Sequence, residues 1–489
     1  MKKSIQHLAV VMGLGLVVPV SGAPTPEMGA AASEAVGGKT TVYATGKNAF
    51  SFPLANLTDA ERTRFVIGNS FFKRNWVEAG ASTTARDGLG PHFIARSCGG
   101  CHVMDGRGAP PKITNKLTGE HGPTVELLIR LSIPGHDPKA GVMAEPTYGD
   151  QFNNAAVQGV KPEGRVQIHH TTIQGRFADG TVYTLQKPHY KLTDLGYGPL
   201  HPQTMVGPRI APHLAGVGLL EAISDQDILQ NAADQKAAGG SIAGKPNRVY
   251  DAYAKSMRIG RLGWKANVAS IVHQTAGAFN GDIGITSRLF PKEACMPSQA
   301  DCLAAPHGGG RGQTVPARQA SSKNPEIDDK TLGDVVFYQA TLAPAARRKP
   351  KDPKVMLGEK LFHAAQCATC HRPSYVTTGS PFPEFGSPKL KGQRIWPYTD
   401  LLLHDMGEDL ADGRPDFEAN GRQWKTPPLW GIGLIKDVNG HQRLLHDGRA
   451  DGVLEAILWH GGEAQASKDS VLKMKATERE ALVQFVESL

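Results

Sequence analysis

Long apolar runs are scarce in this sequence of 489 residues. Beyond residues 8–20, no run approaches the ~18 apolar residues that mark a membrane span, so a polytopic membrane protein is excluded. Cysteine is scarce as well. Six in the whole chain are too few for a disulfide-framework scaffold of this length. Basic clusters are nearly absent: no run exceeds Arg347-Arg348-Lys349, which sits in a Pro-rich stretch and reads as solvated linker. The sequence therefore carries no nucleic-acid footprint. Glycine and proline are what abound, with 56 and 34 residues, together about 18% of the chain against a usual ~12%. That excess points to long, loop-rich connections. With 40% hydrophobic and 20% charged residues, ordinary globular cores are available and whole-chain disorder is excluded. Length alone suggests about three domains.

Lys2 and Lys3 precede the apolar run 8–20, which leads into Ser21-Gly22-Ala23. This is the charged, apolar, small-residue order of a secretory signal. Residues 1–23 are therefore expected to be a signal peptide, and residues 24–47, small and polar, a flexible lead-in. The mature protein is expected to be soluble and periplasmic, in an oxidising compartment. Its formal charge falls from +8 to +6 once the two lysines are gone.

The cysteines fall into three pairs. Residues 98–102 read Cys-Gly-Gly-Cys-His and residues 367–371 read Cys-Ala-Thr-Cys-His. Cys-x-x-Cys-His is the attachment signature of c-type haem. Two thiols three positions apart reach both vinyl groups on one edge of a porphyrin, and the adjacent imidazole reaches the iron. Cys98, Cys101, Cys367 and Cys370 are thus expected to hold two haems covalently, with His102 and His371 as proximal iron ligands. Zinc would not require His after each pair, and a redox dithiol would not occur twice. Cys295 and Cys302 have no following His and flank Met-Pro-Ser-Gln-Ala-Asp. They read as a disulfide closing a short loop, worth ~2–3 kcal/mol.

Each haem motif heads a similar series of landmarks. Val66-Ile67-Gly68 through Phe71-Phe72 precedes the first, and Met356-Leu357-Gly358 through Leu361-Phe362 precedes the second. Pro212-His213-Leu214-Ala215-Gly216-Val217-Gly218 follows the first; Pro428-Leu429-Trp430-Gly431-Ile432-Gly433 follows the second. Arg261-Leu262-Gly263-Trp264 and Arg443-Leu444-Leu445-His446 come next. Each series ends in an amphipathic helix. Leu332, Val335, Val336 and Gln339 share one face of the first, and Leu482, Phe485, Val486 and Leu489 one face of the second. Thr477 and Glu480 are spaced as a capping box for the latter. The spacing predicts two homologous haem domains joined through residues 343–353. His102 to Pro212 spans 110 residues but His371 to Pro427 only 56, so the first domain holds a large insertion. Within it, residues 165–174 and 181–187 alternate around Ala178-Asp179-Gly180, the pattern of a β-hairpin. The expected fold is mainly α: two cytochrome c-like haem domains in tandem, with long loops and a β-hairpin-containing insertion in the first. The bounds are 48–345 with an insertion at about 110–205, then 351–489.

The run from Asp87 to His102, with Asp105-Gly106-Arg107-Gly108, resembles the dihaem oxidoreductase (thiol oxidoreductase-like) family. Tyr148-Gly149-Asp150-Gln151 and Leu445-His446-Asp447-Gly448-Arg449-Ala450 extend the resemblance over nearly all of residues 50–489. That family is related to bacterial dihaem cytochrome c peroxidases. The resemblance implies that a haem in the first domain meets peroxide while a haem in the second receives electrons from an outside donor. In those relatives a tryptophan lies between the haems. Trp264, with Gln274 ten residues on, is the corresponding candidate here, and Lys265 beside it is a candidate partner for a haem propionate. The relatives place a carboxylic acid over the first haem soon after that Gln. Asp282, eight residues after Gln274, matches and would move a proton between peroxide oxygens. His273 is the rival. For the sixth ligand of the second iron, the resemblance points to His460, 14 residues after His446, with Met406 as the alternative. His/His ligation would lower that haem's potential relative to His/Met.

The function expected is a periplasmic peroxidase-like oxidoreductase. The alternatives are a non-catalytic electron-transfer cytochrome, or an oxygenase-like or protein-oxidising dihaem enzyme. The expected partners are hydrogen peroxide and an electron-donor protein, a small cytochrome or a copper protein, with no nucleic acid. The resemblance leaves a calcium between the domains open, and the sequence does not decide the oligomeric state.

Overall fold

Two helix pairs frame the chain. The computed structural model describes residues 34–489 apart from 84, 116–117, 123 and 310–313; the expected signal peptide lies outside the described residues. Asp59–Lys73 begins at Thr58, whose hydroxyl accepts the Glu61 N–H while the Glu61 carboxylate accepts the Thr58 N–H at 2.9 Å. It lies along Asp329–Ala340. Pro353–Ala364, capped by Asp352 with Pro in its first turn, lies along Ala476–Ser488 in the same way. The reason is shared. A Cβ on Gly68 would run into the Asp334 carbonyl, and one on Gly358 into the Ala481 carbonyl. Only glycine lets the backbones approach so closely. The next landmarks repeat the device. Gly218 abuts the Ala340 carbonyl and Gly433 the Glu487 carbonyl, each two residues after a glycine in the left-handed region, Gly216 (φ 76°) or Gly431 (φ 73°). One apolar core surrounds the first pair, with Phe65, Phe72, Val335 and Val336, and another the second, with Phe362, Leu482, Phe485 and Val486.

The mainly α, cytochrome c-like expectation is not met. The chain is about 30% helix and 20% strand, the strands spread over many small sheets. Two causes operate. Buried loops must satisfy their own N–H and C=O groups, and here many do so by pairing in two-stranded ladders. The insertion also builds real sheet. Leu127–Ser132 pairs antiparallel with both Met205–Ile210 and Gln151–Phe152. The hairpin is longer than its alternating pattern suggested: Arg165–Arg176 pairs with Val182–Thr193 over twelve residues each. Its turn is fixed by Asp179 accepting the Thr181 N–H at 3.0 Å and by Gly180 at φ 89°. The tip reaches the second half. Phe177 is buried beneath the Arg479 guanidinium, 3.9 Å from the ring centre, and Arg479 pairs with Asp179 at 2.8 Å.

Three local expectations also change. From residue 34 on, the stretch read as flexible lead-in is packed, with Val36 and Thr40 fully buried. The basic run read as solvated is so only at Lys349: Arg347 is buried and donates to Glu359 at 3.0 Å, and the half-buried Arg348 binds the carbonyls of Glu487 and Leu489. The last helix does not use Thr477 and Glu480 as its box. It starts at Ala476, Glu478 accepts the Lys475 N–H at 2.8 Å, and Glu480 pairs with Lys354. No helix among the described residues is long and apolar enough to cross a membrane.

Candidate functional site

Both Cys-x-x-Cys-His motifs line one cavity of about 840 Å³, within the range of cofactor pockets. The first motif sits on the one-turn helix Cys98–Cys101, the second on the turn Cys367–Thr369. His102 Nδ1 lies 2.7 Å from the Pro212 carbonyl, and His371 Nδ1 lies 2.9 Å from the Tyr398 carbonyl. A carbonyl only accepts, so Nδ1 carries the proton and Nε2 keeps its lone pair. His460 is held the same way, with Nδ1 2.7 Å from the Ala456 carbonyl. Burial depresses all three imidazoles, His371 to about 4. All three are therefore neutral at ordinary pH, as iron ligation requires. Phe72 stands 6.3 Å from the His102 ring and Phe362 stands 6.2 Å from the His371 ring, in corresponding positions.

The four motif thiols are unpaired. Burial pushes Cys98 and Cys367 up to about 12 and raises Cys101 and Cys370. A redox dithiol would show the opposite shift. Buried thiols in pairs, each beside a neutral imidazole with a free Nε2, on the wall of a shared and largely apolar cavity, fit a pair of haems. Cys295 and Cys302 stand within disulfide-bonding distance, with Cα atoms 5.7 Å apart.

Asp282 also lines this cavity. The helix Ile271–Ala278 continues into a π-turn, Phe279–Ile283, which turns Asp282 toward the first motif. The Asp282 carbonyl accepts the N–H groups of Ile94 and Ala95 at 2.8 and 3.1 Å, on the segment leading into Cys98. Gly284, at φ 76°, meets Gly90 backbone to backbone and fixes that register. The carboxyl Oδ1 accepts from Gln151 Nε2 at 3.0 Å. Burial raises the pKa of Asp282, opposed by the Arg130 charge and the Gln151 hydrogen bond. In turn its charge raises both Cys98 and Cys101. The rival His273 lines the cavity too, but its Nδ1 faces the Ala252 N–H at 3.3 Å and its ring leans on Phe290.

Trp264 borders the same cavity. Its Nε1 donates to the Ile210 carbonyl at 2.8 Å, and the Arg107 guanidinium lies 5.1 Å from its ring centre. Lys265 already has a partner: it is fully buried, 3.2 Å from Asp412 and 4.2 Å from the centre of the Trp424 ring. The propionate role suggested for it is therefore not supported. Met406 lines the cavity alongside His460.

Three features went unassigned in the sequence. Gln151 holds Asp282, although its Tyr-Gly-Asp-Gln landmark was visible. Asp105 is completely buried beside His102, accepting from Tyr338 Oη and Ser51 Oγ at 2.5 Å each and pairing with Lys73 at 3.1 Å. His446 stacks on Trp424 with ring centres 3.8 Å apart. Nothing local in the sequence connects residues so far apart along the chain.

The sequence has no match among curated proteins. Residues 30–489 match the model of a family described as "di-haem oxidoreductase, putative peroxidase", and the chain, whose cavity brings two haem-type motifs together, belongs to that family of di-haem oxidoreductases.

Proposed function

We propose that this di-haem oxidoreductase is exported to the periplasm and reduces hydrogen peroxide there, with electrons drawn from a small cytochrome or copper protein. The overall change is H2O2 + 2 H+ + 2 e− → 2 H2O. Two covalently attached c-type haems, one on Cys98, Cys101 and His102 and the other on Cys367, Cys370 and His371, would supply the redox chemistry, with peroxide reduced at the first and electrons entering at the second. The observation that carries the reading is the Asp282 carboxyl, half-buried on the cavity wall close to Cys98 and Cys101. Asp282 takes the proton from one peroxide oxygen and returns it to the departing one. Gln151 keeps the carboxyl aimed at the cavity. The apolar walls exclude bulk water and sharpen its electrostatics. Trp264, held by the Ile210 carbonyl, stands as the aromatic bridge between the two motifs. His460, its Nδ1 committed to the Ala456 carbonyl and its Nε2 free, would join His371 in holding the second haem.

Two measurements test this. The denatured protein should carry the mass of two covalent haems. Spectroelectrochemical titration, with peroxide added at each redox stage, should show one high-spin centre that binds peroxide or cyanide. Two low-spin centres that ignore both would reduce the protein to an electron carrier.

A further inference from the structure

Behind the segment that carries Asp282 lies a second cluster of ligand-type side chains. His307 Nδ1 is 2.7 Å from Glu293 Oε1 and 3.0 Å from Glu326 Oε1. All three side chains are almost completely buried. His307 Nε2 lies 3.0 Å from the Asn324 carbonyl, which only accepts, so Nε2 carries a proton. In the neutral ring the Nδ1 lone pair therefore faces two carboxylates. Burial disfavours a doubly protonated ring, but the bonds to Glu293 and Glu326 push His307 up to about 10, and a divalent cation would take the place of that shared proton. Among the described residues no lysine or arginine pairs with either carboxylate. Glu293 Oε2 is buried with no hydrogen-bond partner at all. The supporting contacts are in place as well. Glu326 is oriented by the Gly308 N–H at 2.8 Å and the Thr286 N–H at 2.9 Å.

We propose that Glu293, His307 and Glu326 bind a divalent cation of the zinc class. The donor set is one imidazole nitrogen with carboxylate oxygens, which suits zinc, whereas calcium takes six to eight oxygens. Two ligand atoms each ~2.1 Å from a tetrahedral zinc lie about 3.4 Å apart. The observed spacings of 2.7 and 3.0 Å need to open by less than ~1 Å to reach that value, and all three ligand atoms already lie within 4.8 Å of one another. The His307 Nε2–H bond to a backbone carbonyl is the usual outer support of a metal-bound imidazole. The cation would clamp the segment bearing Cys295 to the loop 324–327, where Glu326 accepts the Thr286 N–H, and so brace the end of the Asp282 turn. This inference stands apart from the peroxide reading, because it concerns different residues and a different readout.

The test uses the full holoprotein, stripped with a chelator, dialysed against micromolar zinc and assayed for metal relative to iron. The wild type should retain one zinc per two irons and gain thermal stability on zinc addition. His307→Gln and, separately, Glu293→Gln should retain none and gain nothing. Haem content serves as the check on folding, and if one variant fails it, the other decides. The proposal is overturned if the wild type keeps no zinc, if both folded variants keep as much as the wild type, or if the wild type takes up calcium stoichiometrically and zinc not at all.

Discussion

Replacing Asp282 by Asn is the sharpest probe of the peroxide chemistry. The substitution is nearly isosteric, and the Asn carbonyl can still accept the Gln151 Nε2–H bond that holds Asp282 at 3.0 Å. The backbone bonds to Ile94 and Ala95 do not involve the side chain. The fold and both haem motifs are therefore untouched, and only proton transfer is lost. Positioned acid–base groups contribute about 10²- to 10⁴-fold, so kcat/KM for peroxide should fall by that factor, roughly 3–5 kcal/mol of transition-state stabilisation. Steady-state assays with a reduced donor, run from pH 4 to 9, supply a second signature. Burial raises the Asp282 pKa, so the protonated form persists above the usual carboxyl range. The wild-type acid limb, where the carboxylate is lost, should lie above that range and vanish in the Asn variant. Gln151→Leu removes a hydrogen bond that favours the carboxylate, so it should move the limb to still higher pH while leaving haem content unchanged. An Asp282→Asn enzyme with wild-type kcat/KM and an unaltered pH profile would refute the role.

The remaining predictions concern ligation, packing and linkage. His460→Met should raise the lower of the two midpoint potentials; unchanged potentials in a spectroelectrochemical titration would remove His460 from the iron. Gly358→Ala places a methyl group against the Ala481 carbonyl and should cost about 2 kcal/mol or more in denaturant unfolding, whereas Gly240→Ala, with open space around it, should stay within about 0.5 kcal/mol. Equal losses at the two sites would contradict the close-approach argument. Burial raises Glu163 to about 8. The folded state therefore keeps a proton that the unfolded chain releases above about 4.5, and this group's stabilisation is full below that pH and declines as pH rises toward 8. Glu163→Gln should flatten the fall in unfolding midpoint over that window; an unchanged slope would assign it to other groups.

What could be read from the sequence was whatever is encoded by spacing. The two Cys-x-x-Cys-His motifs, the buried faces of Leu332–Val336 and Leu482–Val486, and the hairpin around Asp179-Gly180 are all local patterns, and their residues sit where those patterns put them. Fold class was misjudged because glycine- and proline-rich loops give no periodic signal, and whether buried loops pair into ladders depends on what surrounds them. The packing of Arg347 and Arg348 is illegible in the sequence for a related reason. A basic run beside prolines looks solvated until the carbonyls of Glu487 and Leu489, about 140 positions away, supply its acceptors. Asp282 was reached through a resemblance. Its partner Gln151 could not be, since 131 residues separate them.

The buried junction has a mechanical consequence. Val42 donates to the Pro344 carbonyl, Ala346 to the Val42 carbonyl and Arg348 to the Ser488 carbonyl. The strap between the halves is thus stitched to an early segment on one side and to the last turn of the final helix on the other. A hinge needs backbone that can rotate without breaking bonds, and this one has none to spare. Swinging one half against the other would tear out several buried hydrogen bonds at once. A rearrangement confined to cavity loops, such as those carrying Met406 and His460, would break none of these bonds. Electron-transfer distances across the protein should then be the same in every redox state.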